Sequence, residues 1–101
     1  MIKLYGNVAS RAMRCIWALE EADLDYEAVE VDFAKGEHLG EAYRSINPMG
    51  KVPALVEDDF VLTESIAICT HVGDQVPDRN LVPAPGTRDR ARYNQWMLFV
   101  G

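Results

Sequence analysis

Cysteine is scarce in this chain of 101 residues: Cys15 and Cys69 are its only two, far apart and without CxxC spacing. A disulfide scaffold and a cysteine-ligated zinc site are therefore not expected. Histidine is equally rare, with two residues, and no metal-ligand spacing is present, so the expected metal complement is none. Long apolar runs are missing as well. None approaches the roughly 18 residues of a membrane span, and Met1-Ile2-Lys3-Leu4 leads straight into a strand-like stretch with no signal-peptide core. The expectation is a cytoplasmic chain that makes no membrane contact. Basic charge is in deficit, with ten Lys and Arg against sixteen Asp and Glu, a net charge of -6. A phosphate backbone would be repelled over most of such a surface, which excludes general nucleic-acid binding. Seven of those acids fall between Glu20 and Asp32 without a basic residue, and their alternation with Leu24, Tyr26, Val29 and Val31 describes a solvated face. What is present is an ordinary globular composition, 49% hydrophobic and 26% charged, in a length that fits one core.

The apolar pattern divides this length into elements. Ile2 to Tyr5 reads as a short buried strand ended by Gly6-Asn7. From Ser10 onward Ala12, Cys15, Ile16 and Leu19 recur at helical spacing, with Arg11, Arg14 and Glu21 on the other side and Asp23 at the end. Tyr26, Val29 and Val31 mark a second strand, completing a βαβ unit whose strands should be parallel. Gly36 to Ile46 carries a weak helical face through Leu39, Tyr43 and Ile46, and Asn47-Pro48-Met49-Gly50 turns the chain. Val52 to Val56 and Phe60 to Leu62 predict a β-hairpin with a three-residue loop. Thr63 is placed to cap a helix over Glu64 to Gly73. A segment containing Pro77, Pro83 and Pro85 follows as a linker. Thr87 to Val100 then begins another helix, with Tyr93, Trp96, Met97 and Val100 on one stripe and Phe99 beside it. The order βαβαββα predicts an α/β fold with a mixed four-stranded sheet and helices packed on it.

Leu4-Tyr5-Gly6, Ser10, Ala18-Leu19-Glu20-Glu21, Asn47-Pro48, Val52-Pro53-Ala54-Leu55 and Glu64-Ser65-Ile66-Ala67-Ile68 occur in an order that resembles the N-terminal half of a cytosolic glutathione transferase. Ser10, four residues before Arg14, is similar to the serine type. The resemblance implies a thioredoxin-like glutathione-binding domain over 1–76, a linker over 77–86, and at 87–101 the start of an all-α domain left incomplete. It implies an enzyme with glutathione as co-substrate, a small electrophile as second substrate and a homodimeric assembly, and it implies that the isolated chain is a poor catalyst. Two other classes share parts of the pattern. A non-catalytic binding module uses the same fold. A thiol-disulfide oxidoreductase needs a cysteine where Ser10 stands.

Within that resemblance, residues acquire roles. Ser10 at the head of the first helix would donate to the glutathione sulfur and hold it as thiolate. An ordinary cysteine thiol titrates near 8.5, and lowering it by two units requires about 2.7 kcal/mol. The plain alternative for Ser10 is a helix cap, and Tyr5 is the rival donor. Pro53 interrupts a strand-like run because it lacks an N–H. The resemblance implies a cis Val52–Pro53 peptide, which would turn the Val52 N–H and C=O outward to pair with the cysteinyl backbone of the ligand. The alternative is a trans proline at a sheet edge. Ser65 at a helix N-terminus would receive the γ-glutamyl carboxylate and Glu64 its ammonium group, unless both serve only as first-turn residues. Lys51 and His38 are the candidates for the glycyl carboxylate, with Arg11 ranked behind them near the thiol. Cys15, Cys69 and His71 read as packing residues.

Overall fold

The computed structural model describes residues 1–101. Strand β1 (Ile2–Gly6), helix α1 (Ala12–Ala22) and strand β2 (Tyr26–Glu30) form the predicted βαβ unit, with the strands parallel and Ile2 opposite Tyr26. A 3-10 turn (Glu37–Leu39) and the short helix α2 (Glu41–Arg44) lead to strands β3 (Ala54–Glu57) and β4 (Phe60–Thr63). Strand β3 runs antiparallel to β1, placing Leu55 beside Leu4, and β4 runs antiparallel to β3. The sheet order is β2-β1-β3-β4. Helix α3 (Ser65–Asp74), a 3-10 turn (Pro77–Arg79) and helix α4 (Arg88–Val100) complete the chain. The fold is the expected mixed, four-stranded, thioredoxin-like α/β arrangement.

Alternation along the central strands explains why the sheet is covered on both faces, since successive side chains point to opposite sides. Leu4 and Leu55 join Cys15, Leu19 and Ala22 of α1 and Ile68 and Val72 of α3 in the main core, all buried. Their neighbours Tyr5 and Ala54 belong instead to a smaller cluster with Val31 and Tyr43 of α2. The strand-to-helix turn is tight. A Cβ on Gly6 would lie 2.3 Å from the Ala12 Cβ, so glycine is what lets α1 start against the end of β1.

Several expectations are corrected. Helix α1 starts at Ala12, two residues after Ser10, with Arg11 as N-cap. The helix expected over Gly36 to Ile46 is two short pieces parted at Gly40, whose extended backbone (ψ 160°) interrupts the helical bonds. The hairpin loop is Asp58-Asp59, because Glu57 pairs with Phe60, and Asp58 takes the left-handed conformation the turn needs (φ 56°). Strand β3 starts after Pro53, which has no N–H to give the ladder. Thr63 ends β4 and does not cap α3; the N-cap is Glu64, at φ 74°, and no side chain closes the first turn. Thr87 does cap α4, accepting from the Arg90 N–H at 3.1 Å. The apolar stripe on α4 is divided. Arg90, Tyr93 and Met97 are half-buried while Trp96, Leu98, Phe99 and Val100 face outward. Two polar contacts set that rotation: the Tyr93 hydroxyl meets Thr70 Oγ1 at 2.9 Å, and Arg90 pairs with Asp74 at 2.8 Å.

Candidate functional site

A polar cavity of about 360 Å³ opens where three loops converge. The segment after α2 contributes Asn47, Lys51, Val52 and Pro53, the β4–α3 junction contributes Thr63, Glu64 and Ser65, and the loop ahead of α1 contributes Arg11. Six residues singled out in the sequence thus share one site: Arg11, Lys51, Val52, Pro53, Glu64 and Ser65.

The wall carrying Lys51 is held from below. Asn47, 6% exposed, donates from Nδ2 to the Lys51 carbonyl at 2.8 Å and accepts the Met49 N–H at 3.1 Å. The Tyr43 hydroxyl donates to the same Lys51 carbonyl. Burial pushes the Tyr43 hydroxyl above its ordinary pKa, opposed in part by a hydrogen bond with Asn47 and reinforced by Tyr5. With its backbone fixed by two donors, Lys51 leaves its ammonium exposed at the cavity rim. The Val52–Pro53 peptide is cis. The Val52 N–H and C=O take no partner within the chain, so both remain available to a ligand backbone.

Across the cavity the positive φ of Glu64 turns β4 sharply into α3 and presents the uncapped first turn of that helix. Unsatisfied N–H groups and the positive end of the helix dipole favour an anion there. Ser65 is buried at this point, 7% exposed, and Glu64 is exposed. Two cations, Arg11 and Lys51, and one carboxylate, Glu64, therefore surround an uncapped helix end and an unpaired peptide group.

Ser10 lies outside the lining. Its hydroxyl donates to the Asn7 carbonyl at 2.7 Å, while its oxygen accepts the Ala12 N–H at 3.2 Å and the Asn7 N–H at 3.4 Å. It ties the turn before α1 together, one residue ahead of the Arg11 N-cap, so it is not the helix cap of its plain reading. The His38 side chain is not in the cavity either: its ring stands edge-on to Phe33, centroids 4.6 Å apart, and its Nδ1 is buried without a partner. The His38 main chain packs against the turn before Lys51, where a Cβ on Gly50 would lie 2.9 Å from its carbonyl oxygen. Tyr5 packs near Tyr43, rings 6.0 Å apart, on a different cavity wall. Asn47 and Thr63 also line the cavity, although the sequence pattern marks them only as a turn and a cap. Their signal was the Asn-Pro turn and the strand end, neither of which reveals a long-range partner.

Comparison with known proteins places this geometry in context. The family pattern described as "Glutathione S-transferase, N-terminal domain" matches residues 1–74. The chain is similar to the probable glutathione S-transferase GSTF2 of Oryza sativa subsp. japonica, 49% identical over 72 residues, which are 70% of this chain and 34% of that protein. It is also similar to glutathione S-transferase Z2 of Arabidopsis thaliana, 40% identical over 98% of this chain and 45% of that protein. A glutathione transferase homologue from Sulfitobacter, solved with bound glutathione, superposes with a TM-score of 0.89 at 39% identity, over 99% of this chain and 48% of that one. The transferase URE2P8 of Phanerochaete chrysosporium, solved with oxidized glutathione, gives a TM-score of 0.92 at 37% identity, over 99% of this chain and 47% of that one. The chain thus spans between a third and a half of the length of these curated relatives. Carrying the family's N-terminal pattern on its own fold, the chain belongs to the glutathione S-transferases.

Proposed function

We propose that this chain is the glutathione-binding part of a glutathione transferase, over 1–76, joined through 77–86 to a helical domain that opens at 87–101. The observation that carries this reading is the cavity: unpaired Val52 peptide groups, Lys51 and the uncapped α3 end at Ser65 line one space. Glutathione is a short peptide with a carboxylate at each end, and it matches that set of groups. Ser65 and the first-turn amides take the γ-glutamyl carboxylate, Glu64 the neighbouring ammonium, Val52 the cysteinyl backbone and Lys51 the glycyl carboxylate. His38 joins Lys51 only by turning its ring out of the Phe33 contact.

Anchored this way, the sulfur approaches the turn before α1. Rotation of the Ser10 hydroxyl away from Asn7 O redirects its proton to the sulfur, and Arg11 adds positive potential nearby. Hydrogen bonds to a charged partner contribute about 1.5–3 kcal/mol, which covers a two-unit fall in thiol pKa. The thiolate then attacks the electrophile, forming an S–C bond as the leaving group departs. The cytoplasm, where glutathione is reduced, a homodimer and the detoxification of small electrophiles belong to this reading. No helix is long and apolar enough to cross a membrane.

Titration calorimetry with reduced glutathione, combined with amide shift mapping, tests the assignment. Saturable heat with shifts at Lys51, Val52 and Ser65 is expected. No heat at millimolar glutathione, or shifts confined to other residues, overturns it.

A further inference from the structure

The face of the sheet away from α1 and α3 holds a second cavity, of about 490 Å³, between the ends of β1 and β2 and the chain that runs through the 3-10 turn and α2. It shares no lining residue with the polar cavity. Its floor is apolar: Val31 and Tyr43 are buried there, and Tyr5 and Ile46 pack against them. The Tyr5 and Tyr43 rings stand 6.0 Å apart, tilted by 48°. Because the Tyr43 hydroxyl is committed to the Lys51 carbonyl, this residue offers the cavity a ring and not a donor.

The charge around this floor has one sign. Glu30 at the end of β2, Glu37 of the 3-10 turn and Glu41 of α2 line the cavity, and no lysine, arginine or histidine does. The protein's two ion pairs, Arg79 with Asp23 and Arg90 with Asp74, lie elsewhere. Glu37 Oε1 accepts the Asp32 N–H at 2.7 Å and so has a task in the fold, whereas Glu30 and Glu41 are exposed to solvent. Like charges around a low-dielectric floor focus a field that concentrates cations. The floor favours a body that leaves water. A bare cation would answer the rim and leave the floor wet, and a neutral apolar compound would do the reverse. A second copy of this chain, with its net charge of -6, meets repulsion at such a rim.

We propose that this cavity binds a small organic ammonium ion, a protonated amine that carries an aryl group. The aryl group lies on Tyr5, Val31, Tyr43 and Ile46, and the ammonium turns to Glu30 and Glu41. The tyrosine rings add their own attraction for a cation held within about 6 Å. The volume falls within the range of about 300–1,000 Å³ that small-ligand sites occupy. This binding is independent of the glutathione reading, because the two cavities have no residue in common.

The test is a titration of the chain with 2-phenylethylamine at low salt, followed by amide shifts. Saturable shifts at Tyr5, Val31, Tyr43 and Ile46 are expected. The neutral isostere 2-phenylethanol should bind at least about fivefold more weakly, and methylammonium, which lacks the aryl group, should not saturate. Glu30→Gln combined with Glu41→Gln should weaken the amine about three- to tenfold and leave the alcohol unchanged, since each exposed carboxylate contributes modestly. Several results would overturn the proposal: no saturable shifts, equal binding of amine and alcohol, or amine shifts confined to Lys51, Val52 and Ser65 or to α4. So would concentration-dependent shifts at the four floor residues without ligand, which would mean that a second copy covers the cavity. The ligand series on the parent chain decides the matter even if the double variant fails to fold.

Discussion

Ser10 uses one oxygen for three hydrogen bonds, and only the donated one, to Asn7 O, has to change for the hydroxyl to serve a thiolate. Ser10→Ala should therefore raise the apparent thiol pKa of bound glutathione by about one to two units, since a pKa unit is worth 1.36 kcal/mol. Glutathione affinity should change far less, because the anchors at Lys51, Val52 and Ser65 remain. Thiolate absorbance across a pH series reads this directly, and an unchanged pKa would hand the role to Tyr5 or a backbone amide. Tyr43 gives a pH-dependent case. Its folded-state pKa is raised by burial, so above the unfolded value near 10 the unfolded chain releases the proton first and stability falls as pH rises. Tyr43→Phe should lose about 1 kcal/mol at pH 8 with the bond to Lys51 O, yet show a shallower decline between pH 10 and 11. Urea denaturation at each pH checks both signs. Ser65 and Pro53 were legible in the sequence because each belongs to a short linear motif. Asn47 was not, because its work is to hold a carbonyl that only the folded turn brings beneath it.

Elements were legible where periodicity and punctuation agreed. Strand β1, helix α1 and helix α3 have an apolar face, a stop and a length that suit one another, and the element order predicts a mixed four-stranded sheet, though not its strand order β2-β1-β3-β4. Leu39, Tyr43 and Ile46 fit one helical period across Gly40, but its extended backbone divides the expected helix into a 3-10 turn and α2. At the hairpin turn polarity groups Glu57 with Asp58 and Asp59, whereas register pairs Glu57 with Phe60. The junction of β1 and α1 offers a direct test of how one element seats another. Gly6→Ala puts a methyl 2.3 Å from the Ala12 Cβ, an overpacking that should destabilise by about 1–3 kcal/mol. Ala12→Gly alone should cost about 1 kcal/mol through helix propensity. Combined, the two should cost less than their sum, since the glycine removes the methyl that the alanine strikes. Additive losses in chemical denaturation would mean that the turn yields elsewhere and that the contact does not set the position of α1.

Across the molecule as a whole, two surface properties oppose each other. The net charge of -6 repels a second copy, while α4 exposes Trp96 (59%), Leu98 (77%) and Phe99 (78%) on its outer side. The inner row of that helix is committed, with Tyr93 on Thr70 and Arg90 on Asp74, so α4 cannot roll its apolar side inward without breaking both contacts. An apolar patch fixed outward on a small acidic body favours self-association, since burying it removes apolar area from water at about 25 cal/mol per Å². Salt should strengthen that association, because screening weakens the repulsion between like-charged copies while the apolar term remains. Sedimentation velocity on the purified chain should show a concentration-dependent shift to larger species that grows between low salt and about 0.5 M salt, where the Debye length falls well below the 10 Å of 0.1 M. The double substitution Leu98→Lys with Phe99→Lys should return the chain to monomer with a change in folding stability of at most about 1 kcal/mol, because both side chains are exposed. A parent chain that stays monomeric at every concentration and salt, or a lysine variant that associates equally well, would locate the adhesive surface away from α4.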